Sequence, residues 1–191
     1  VTGFVDLPTT EVDDVNDVLL EPGMAYAAAG DAGVFIIDTR KPDEPHIIGS
    51  FDTAGHASAL EKSGNSLFVA DGSNGLIVLD VADPTSPVSI AWSTESSGGY
   101  DALELDGSSL YAFRPGLVRV YDLPLSGEMK EWRTDRSVSG TRMLLSDLHL
   151  IVSDSKTITI YEKGTLNTLG GVYVVDNIIF GVAAQQNTIY A

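Results

Sequence analysis

The sequence predicts an all-β protein, and three observations support this prediction. Short apolar runs rich in β-branched residues alternate with clusters of Gly, Pro, Asn, Asp and Ser, which is the pattern of strands joined by turns. No stretch keeps apolar residues at helical spacing over three turns without a Gly or Pro. The same markers also recur about every 40 residues. A repeat of that length with four short strands predicts a β-propeller built from four-stranded antiparallel blades.

Two independent series of residues share this period. An acidic residue closes the third strand of each unit, at intervals of 42, 42 and 40 residues: Asp38, Asp80, Asp122 and Glu162. An aromatic residue marks the last strand of each unit, at intervals of 41, 40 and 41: Phe51, Trp92, Trp132 and Tyr173. Because both series advance together, the chain is predicted to be a single domain of repeated blades.

The best-preserved copy of the repeat is Leu67 to Pro87, in which two strands flank a turn at Asp71 to Gly75. The predicted blades span residues 15–52, 57–93, 101–133 and 141–172, and a fifth combines 178–191 with 1–7. The outermost strand of the third blade is predicted at 129–133, and residues 1–7 are predicted to be a lone outermost strand. We predict five blades in a ring closed by the N- and C-terminal strands. The alternative is a fragment of a ring of six or seven blades.

Charge and composition narrow the classes of partner. The net charge is −16, which repels a phosphate backbone and an anionic membrane surface, so neither nucleic acid binding nor membrane insertion is expected. The longest apolar runs are about seven residues, far shorter than the roughly 20 that cross a bilayer. Cysteine is absent, which excludes disulfides and thiolate chemistry and weakly favours an exported protein. A chain that starts at Val1 is expected of a processed or trimmed product.

The second and first repeats also carry a family resemblance. Gly75 to Val81, followed by Asp83-Pro84 and Pro87, resembles the LVIVD repeat, and Gly33 to Asp38 with Lys41-Pro42 and Pro45 is a good second copy. The third and fourth units lack the Asp-Pro exit, so their connections to the last strand are expected to differ. The resemblance implies a propeller-forming repeat of bacterial and archaeal proteins, many of them exported or at the cell surface. It implies no catalytic residues.

Both repeating series are interpreted as structural. A carboxylate at a strand end can accept hydrogen bonds from backbone N–H groups of the following turn, which explains one acid per blade at Asp38, Asp80 and Asp122. The four aromatic residues are expected to fill the gaps between neighbouring blades, burying roughly 150 to 250 Å² each. A stacking surface for sugars or bases is the alternative for the aromatic series.

Two acidic segments are candidates for a metal site. Asp71 to Gly75 lacks the spacing and closing Glu of a calcium loop, so it is interpreted as a turn. Asp13, Asp14 and Asp17 belong to a denser cluster that could hold a hard cation such as calcium, although a solvated acidic connection is the simpler interpretation. The sequence predicts no cofactor and leaves calcium possible.

Candidate binding residues lie in connections that a propeller gathers on one face, around the mouth of its channel. These side chains, of mixed charge with one aromatic, are His56, Tyr100, Arg114, Arg142 and Asp71, accompanied by Asp31 and Asp154. No pair of them has the spacing of a metal site, a nucleophile elbow or a phosphate loop. Solvated loop residues without a ligand are the alternative interpretation.

The sequence therefore predicts a non-catalytic binding module or scaffold. We expect an exported or cell-surface protein that contacts a protein or another macromolecule through this loop face, by fold-level analogy. One alternative is a calcium-dependent hydrolase or lyase with His56 or Tyr100 as acid or base at the channel mouth. Another is a subunit joined to a larger assembly by strand addition. The oligomeric state and the ligand are left open.

Overall fold

The computed structural model describes residues 3–7, 14–93, 98–129, 134–138, 140–154, 157–163, 165–174, 183–185 and 188–190. These residues form an all-β structure, as predicted, with one short 3₁₀ turn at Gly72–Asn74. No helix in these ranges is long and apolar enough to cross a membrane. The strands belong to two compact units, one of Val1–Leu103 with Pro124–Lys130 and the other of Glu104–Leu123 with Glu131–Ala191.

The strands of the first unit correspond to the first two predicted repeats, with one later strand added. They are β1 (Asp17–Glu21), β2 (Met24–Ala28), β3 (Val34–Asp38), β4 (His46–Phe51), β5 (Ala59–Ser63), β6 (Ser66–Ala70), β7 (Leu76–Asp80), β8 (Val88–Ser93) and, further along the chain, β12 (Gly127–Met129).

The remaining strands are β9 (Ala102–Asp106), which starts at the boundary between the units, β10 (Ser109–Arg114), β11 (Leu117–Asp122), β13 (Thr134–Ser137), β14 (Arg142–Leu145), β15 (His149–Ser153), β16 (Thr157–Glu162), β17 (Thr168–Val174), β18 (Ala183–Gln185) and β19 (Thr188–Tyr190).

Sheet one and sheet two are built to the same plan. Sheet one has the order β1-β2-β3-β4, and sheet two continues the order β5-β6-β7-β8 with β12 beyond β8. Met24 pairs with Asp38 in sheet one, and 42 residues later Ser66 pairs with Asp80 in sheet two. Both third strands carry a register shift at the same place, between Ile36 and Ile37 and between Val78 and Leu79. The 42-residue period of the sequence is therefore a structural repeat.

Sheets one and two share one hydrophobic core. Its buried side chains are Tyr26, Ala28, Val34 and Ile36 from sheet one, and Ala57, Leu60, Leu67, Val69, Leu79 and Val81 from sheet two and its flanks. Burying apolar surface at about 25 cal/mol per Å² makes this contact a main source of stability. Each sheet thus presents one face to its neighbour in the repeat, as stacked repeat units do.

The N-terminal residues occupy a place related by the repeat to that of β4. A Cβ on Gly3 would lie 2.5 Å from the Pro42 carbonyl oxygen, and a Cβ on Gly49 would lie 2.1 Å from that of Pro84, the corresponding proline of the next repeat. Val5 packs beside Ala25, Ala27 and Ile37 on the other face of sheet one. Residues 3–7 nevertheless form no strand, which corrects the predicted strand at 1–7, because no described strand pairs with them.

The third sequence repeat has a different strand arrangement from the one predicted. Its sheet has the order β13-β11-β10-β9, so the outermost strand is Thr134–Ser137 and the predicted position at 129–133 is wrong. The connection after Asp122 is longer than in the first two repeats, and part of it forms β12, which pairs in parallel with β8 of sheet two. The expectation that this connection differs is confirmed.

The rest of the second unit contains a fourth sheet, β14-β15-β16-β17, and the hairpin of β18 and β19. Ion pairing within the unit joins Lys163 Nζ to Asp106 Oδ2 at 3.0 Å. The hairpin matches the predicted fifth blade in position, whereas residues 178–182 of that blade lie outside the described residues. The number of blades stays a prediction.

The aromatic series is only partly interior. Phe51 packs against the shared core of sheets one and two, as expected. Trp92 is 46% exposed, so the expected burial between blades is wrong for this residue. The repeat places Ser93, 42 residues after Phe51, at the inward position, and Ser93 is 3% exposed. The side chains of Trp132 and Tyr173 lie outside the described residues.

Candidate functional site

Several connections of the first unit meet at one edge, which we call the loop edge. It comprises residues 14–16 before β1, the β2–β3 turn at 29–33, the β4–β5 connection at 52–58 and the β6–β7 turn at 71–75. Gly30 and Ala57 exchange two backbone hydrogen bonds, of 3.1 and 2.9 Å, which hold the first two repeats together at this edge. The loop edge is therefore set by backbone pairing.

His56 is the centre of a polar network on the loop edge. Its Nδ1 lies 2.7 Å from Oδ1 of Asp31, and its Nε2 lies 3.2 Å from Nδ2 of Asn16. The same Asn16 nitrogen donates to the Ala57 carbonyl oxygen at 2.9 Å, so it is an amide donor. His56 Nε2 then accepts from Asn16, and Nδ1–H donates to Asp31, so both ring nitrogens have a hydrogen-bond partner.

The His56 network is accessible to solvent. The side chains of His56 and Asp31 are 53% and 67% exposed. Asp31 and Asn16 hold the two ring nitrogens, so the imidazole is oriented before any partner arrives. Pre-orientation lowers the entropic cost of binding, which suits a contact surface.

Asp71 lies beneath this network and is almost fully buried. Its Oδ1 accepts a 2.5 Å hydrogen bond from the Thr53 hydroxyl, and its carboxylate packs against the backbone of Gly55. Burial raises the pKa of Asp71 to about 6, and the hydrogen bonds from Thr53 and Asn74 oppose that increase. Asp71 therefore supports the 52–58 connection that presents His56 and is not itself a surface ligand.

The structure separates the predicted binding residues. His56, Asp71 and Asp31 come together on the loop edge, whereas Tyr100 is fully buried and its carbonyl oxygen accepts a 3.0 Å hydrogen bond from Ser58. The expected surface role of Tyr100 is therefore corrected to a core position.

The two predicted arginines belong to the second unit. Arg114 ends β10 and is partly buried, and Arg142 begins β14 and is exposed. Asp154 of the same unit caps its turn by accepting the Thr157 backbone N–H at 2.7 Å.

The predicted acidic metal candidates have separate environments. Asp13 lies outside the described residues, and Asp14 is exposed. Asp17 accepts backbone N–H groups of Val18 and Leu60 at 2.8 Å each, so its carboxylate links β1 to β5. Within the described ranges, no three His, Cys, Asp or Glu side chains are grouped to hold a metal ion.

The repeated acids have the predicted capping role in the first two repeats. Asp38 accepts the backbone N–H of Arg40, and Asp80 accepts that of Ala82, both at 2.9 Å. Asp38 additionally binds the Arg40 guanidinium through Nε and Nη2. These contacts with Arg40 lower the pKa of Asp38 to about 2.

Sequence reasoning missed the roles of Asn16 and Thr53. A signal for Thr53 was present, because a threonine follows the aromatic marker by two residues at Thr53, Thr94 and Thr134. Asn16 gave no such signal, since its partners His56 and Ala57 come from another repeat. Only the fold brings these residues together.

Two sections of the chain match a known family. The LVIVD repeat matches residues 14–53 and 54–91, which confirms the resemblance drawn from the strand and turn residues. No curated protein sequence matches the chain.

Solved structures share the fold at low sequence identity. The computationally designed Ika8 protein is 14% identical with a TM-score of 0.70, over 92% of this chain and 54% of that one. The WD40 β-propeller domain of Doa1 is 10% identical with a TM-score of 0.62, over 91% and 59%. PorZ, a surface component of the type-IX secretion system of Porphyromonas gingivalis, is 19% identical with a TM-score of 0.57, over 95% and 24%. The chain thus spans about half the length of the designed protein, and the β-propeller fold class is confirmed.

Proposed function

Because residues 14–91 are two LVIVD repeats in a β-propeller fold, we propose that the protein is a non-catalytic binding module. Its loop edge contacts a protein or another macromolecule. The observation that carries this proposal is the His56 network, in which side chains from three connections meet at an exposed and pre-oriented surface.

The loop edge departs from the repeat, and this departure supports the proposal. The strands and cores of the two repeats correspond closely, but the turn that carries Asp31 in the first repeat carries Ser73 in the second. A residue that the scaffold does not require at a loop is free to serve recognition. The His56–Asp31 pair is therefore a better candidate for function than the regular strands.

The chemistry around His56 favours binding over catalysis. A general base must reach a nucleophile or a substrate proton, and its usual companion is a Ser, Thr or Cys side chain. In the described ranges, no such side chain is hydrogen-bonded to His56, whose ring nitrogens contact Asp31 and Asn16. The net charge of −16 favours a basic or neutral partner over nucleic acid.

The proposed location is outside the cell or at its surface. Residues 14–91 match the LVIVD repeat, and the resemblance to that family implies export to the cell surface or beyond. The absence of cysteine suits an oxidising compartment. PorZ, which shares the fold, is itself a bacterial surface component. These observations support the location without identifying the partner.

The proposal is tested by capture with matched variants. Immobilised wild-type protein, the double variant Asp31→Ala with His56→Ala, and Asp43→Ala are each exposed to cell-envelope and culture extracts. Asp43 is an exposed acid on the connection between β3 and β4, at the opposite edge, and serves as the control. We expect a partner retained by wild type and Asp43→Ala and bound at least about tenfold more weakly by the double variant.

Two outcomes would contradict the proposal. Equal capture by all three proteins would remove the loop edge from the interface. Turnover of a substrate panel that the double variant abolishes would show that the His56 network is catalytic. Urea unfolding of each variant confirms that the folded proteins are being compared.

A further inference from the structure

An open cavity lies at the edge of sheet one opposite the loop edge. Its volume is about 490 Å³, within the range of roughly 300 to 1,000 Å³ that holds small ligands. The lining residues all come from the end of β3, the β3–β4 connection and the start of β4: Asp38, Arg40, Lys41, Glu44, Pro45 and His46. This cavity is separate from the His56 network.

Two exposed cations dominate the cavity. The side chains of Arg40 and Lys41 are 79% and 75% exposed, in a chain whose net charge is −16. Lys41 contacts Glu44 at 3.3 Å, but a pair between two exposed side chains contributes little and can be exchanged for a ligand. Lys41 can therefore donate to an incoming anion at small cost.

Arg40 is held in place before any ligand arrives. Its Nε and Nη2 donate to the buried carboxylate of Asp38, which leaves further N–H groups on Nη1 and Nη2. Its aliphatic stem lies across Gly23, where a Cβ would be 2.7 Å from Arg40 Cγ. Gly23 has φ +80°, a conformation that favours glycine. A fixed guanidinium with remaining donors is suited to a carboxylate or phosphate oxygen pair.

His46 is a third polar side chain that lines the cavity. It is exposed at the start of β4, and its Nδ1 lies 3.3 Å from the Glu44 carbonyl oxygen, so Nδ1–H donates to that carbonyl. The ring is thereby oriented beside the two cations in the same connection.

The second repeat is an internal control for the role of these side chains. Its corresponding connection keeps the acid, both prolines and the 2.9 Å capping bond, now from Ala82 to Asp80. It replaces Arg40, Lys41 and His46 by Ala82, Asp83 and Val88. The turn therefore folds without the three basic side chains, so their presence in the first repeat is not a requirement of the fold.

We propose that this cavity binds the oxyanion of a small ligand, a carboxylate or a phosphate group, through Lys41 and the free N–H groups of Arg40. The site is independent of the proposed contact surface at the loop edge. The net charge of −16 repels anions from the protein as a whole. An anion is therefore expected to bind only where cations are clustered, as Arg40 and Lys41 are in this cavity.

Isothermal titration and NMR shift mapping with inorganic phosphate and with malonate test the proposal and distinguish the two anion classes. We expect saturable binding of at least one, with shifts at residues 38–46. Lys41→Gln should weaken it about tenfold, the loss of one charge-assisted hydrogen bond. Arg136→Gln, at an exposed cation on β13 of the second unit, is the control and should leave binding unchanged.

A gain-of-function variant tests the same inference without relying on a loss. Ala82→Arg with Asp83→Lys recreates the two cations on the second repeat and should add a second, weaker anion site with shifts at residues 80–88. No saturable binding of either anion at millimolar concentration, or Lys41→Gln binding as tightly as wild type, would overturn the proposal. Thermal melts of each variant exclude loss of the fold as the cause.

Discussion

The Thr53 hydroxyl donates a 2.5 Å hydrogen bond to the carboxylate of Asp71, a residue 1% exposed in the next repeat. Thr53 is the last residue of the first LVIVD match, and Asp71 lies within the second. The bond therefore ties two neighbouring repeats together under the loop edge. An acceptor buried this deeply is costly to leave without its donor.

Removing that donor should destabilise the protein. Thr53→Val keeps the shape of the side chain but leaves the Asp71 carboxylate without the hydroxyl, so we expect the free energy of unfolding to fall by about 1–3 kcal/mol. Urea unfolding at neutral pH measures the change. Thr53→Ser keeps the hydroxyl and should lose less, and equal losses in the two variants would show that the hydrogen bond is not the cause.

Stability should also depend on the ionisation of Asp71. Its pKa rises from 3.8 to about 6 on folding, so the folded state binds this proton more tightly than the unfolded state. The contribution of Asp71 to the free energy of unfolding therefore increases as pH falls through about 6 and is complete below 3.8. At neutral pH, the ionised carboxylate of Asp71 opposes folding.

Asp71→Asn removes this titration. The free energy of unfolding of the variant, relative to that of wild type, should therefore be higher at pH 7 than at pH 5. Urea unfolding at both pH values measures this difference. Asp83→Asn is the control, because hydrogen bonds from Thr85 lower the pKa of Asp83, so this carboxyl is ionised in the folded and the unfolded state at both pH values and its substitution should have the same effect at pH 5 and pH 7. A wild-type minus Asp71→Asn difference that is independent of pH would contradict the prediction.

A side chain at Gly49 should disrupt the contact between sheets one and two. Its Cβ would meet the Pro84 carbonyl oxygen at 2.1 Å, and the nearest atoms all belong to the backbone of Pro84 and Thr85, which cannot move aside as a flexible side chain would. We expect Gly49→Ala to cost about 1–3 kcal/mol of unfolding free energy, the usual range for overpacking. Ser50→Ala, at an exposed neighbour on β4, should be nearly neutral, and similar costs for both would argue against the steric explanation.

Lys62 should contribute far more to stability than an exposed lysine. Its side chain is 11% exposed, and its Nζ contacts Glu21 Oε1 at 2.9 Å across the two sheets. Lys62→Met should lower the free energy of unfolding by about 1.5–3 kcal/mol, the range for a hydrogen bond to a charged group. Lys41→Met, which breaks only the exposed pair with Glu44, should cost less than about 1 kcal/mol. Equal costs would show that burial of the Lys62 pair is unimportant.

Much of the fold could be predicted because repeat spacing and strand patterns are local properties of the sequence. The error at Trp92 has a definite cause, since 41 residues separate it from Phe51 while the strands repeat at 42. A shift of one residue turns a strand side chain to the opposite face. The 42-residue spacing of Asp38 and Asp80 already contained this correction.

The candidate sites could be predicted only in part. His56, Asp31 and Asp71 were identified from their places in connections, which the repeat defines. The pairing of His56 with Asn16, and the orientation of Arg40 by Asp38 and Gly23, depend on contacts between side chains. No residue spacing specifies such contacts, so the structure was needed to find them.

Sheet two is completed by strand β12, which comes later in the chain, after the β10–β11 hairpin of the third repeat. Its parallel pairing with Ala91, Trp92 and Ser93 covers the outer edge of β8. A fragment ending at Leu103 would keep both LVIVD repeats and lose this cover, exposing backbone donors and acceptors beside the half-exposed Trp92. Such an edge promotes association between chains. A fragment designed to contain the two LVIVD repeats should therefore extend through β12, so that the edge of β8 stays covered and the fragment stays monomeric.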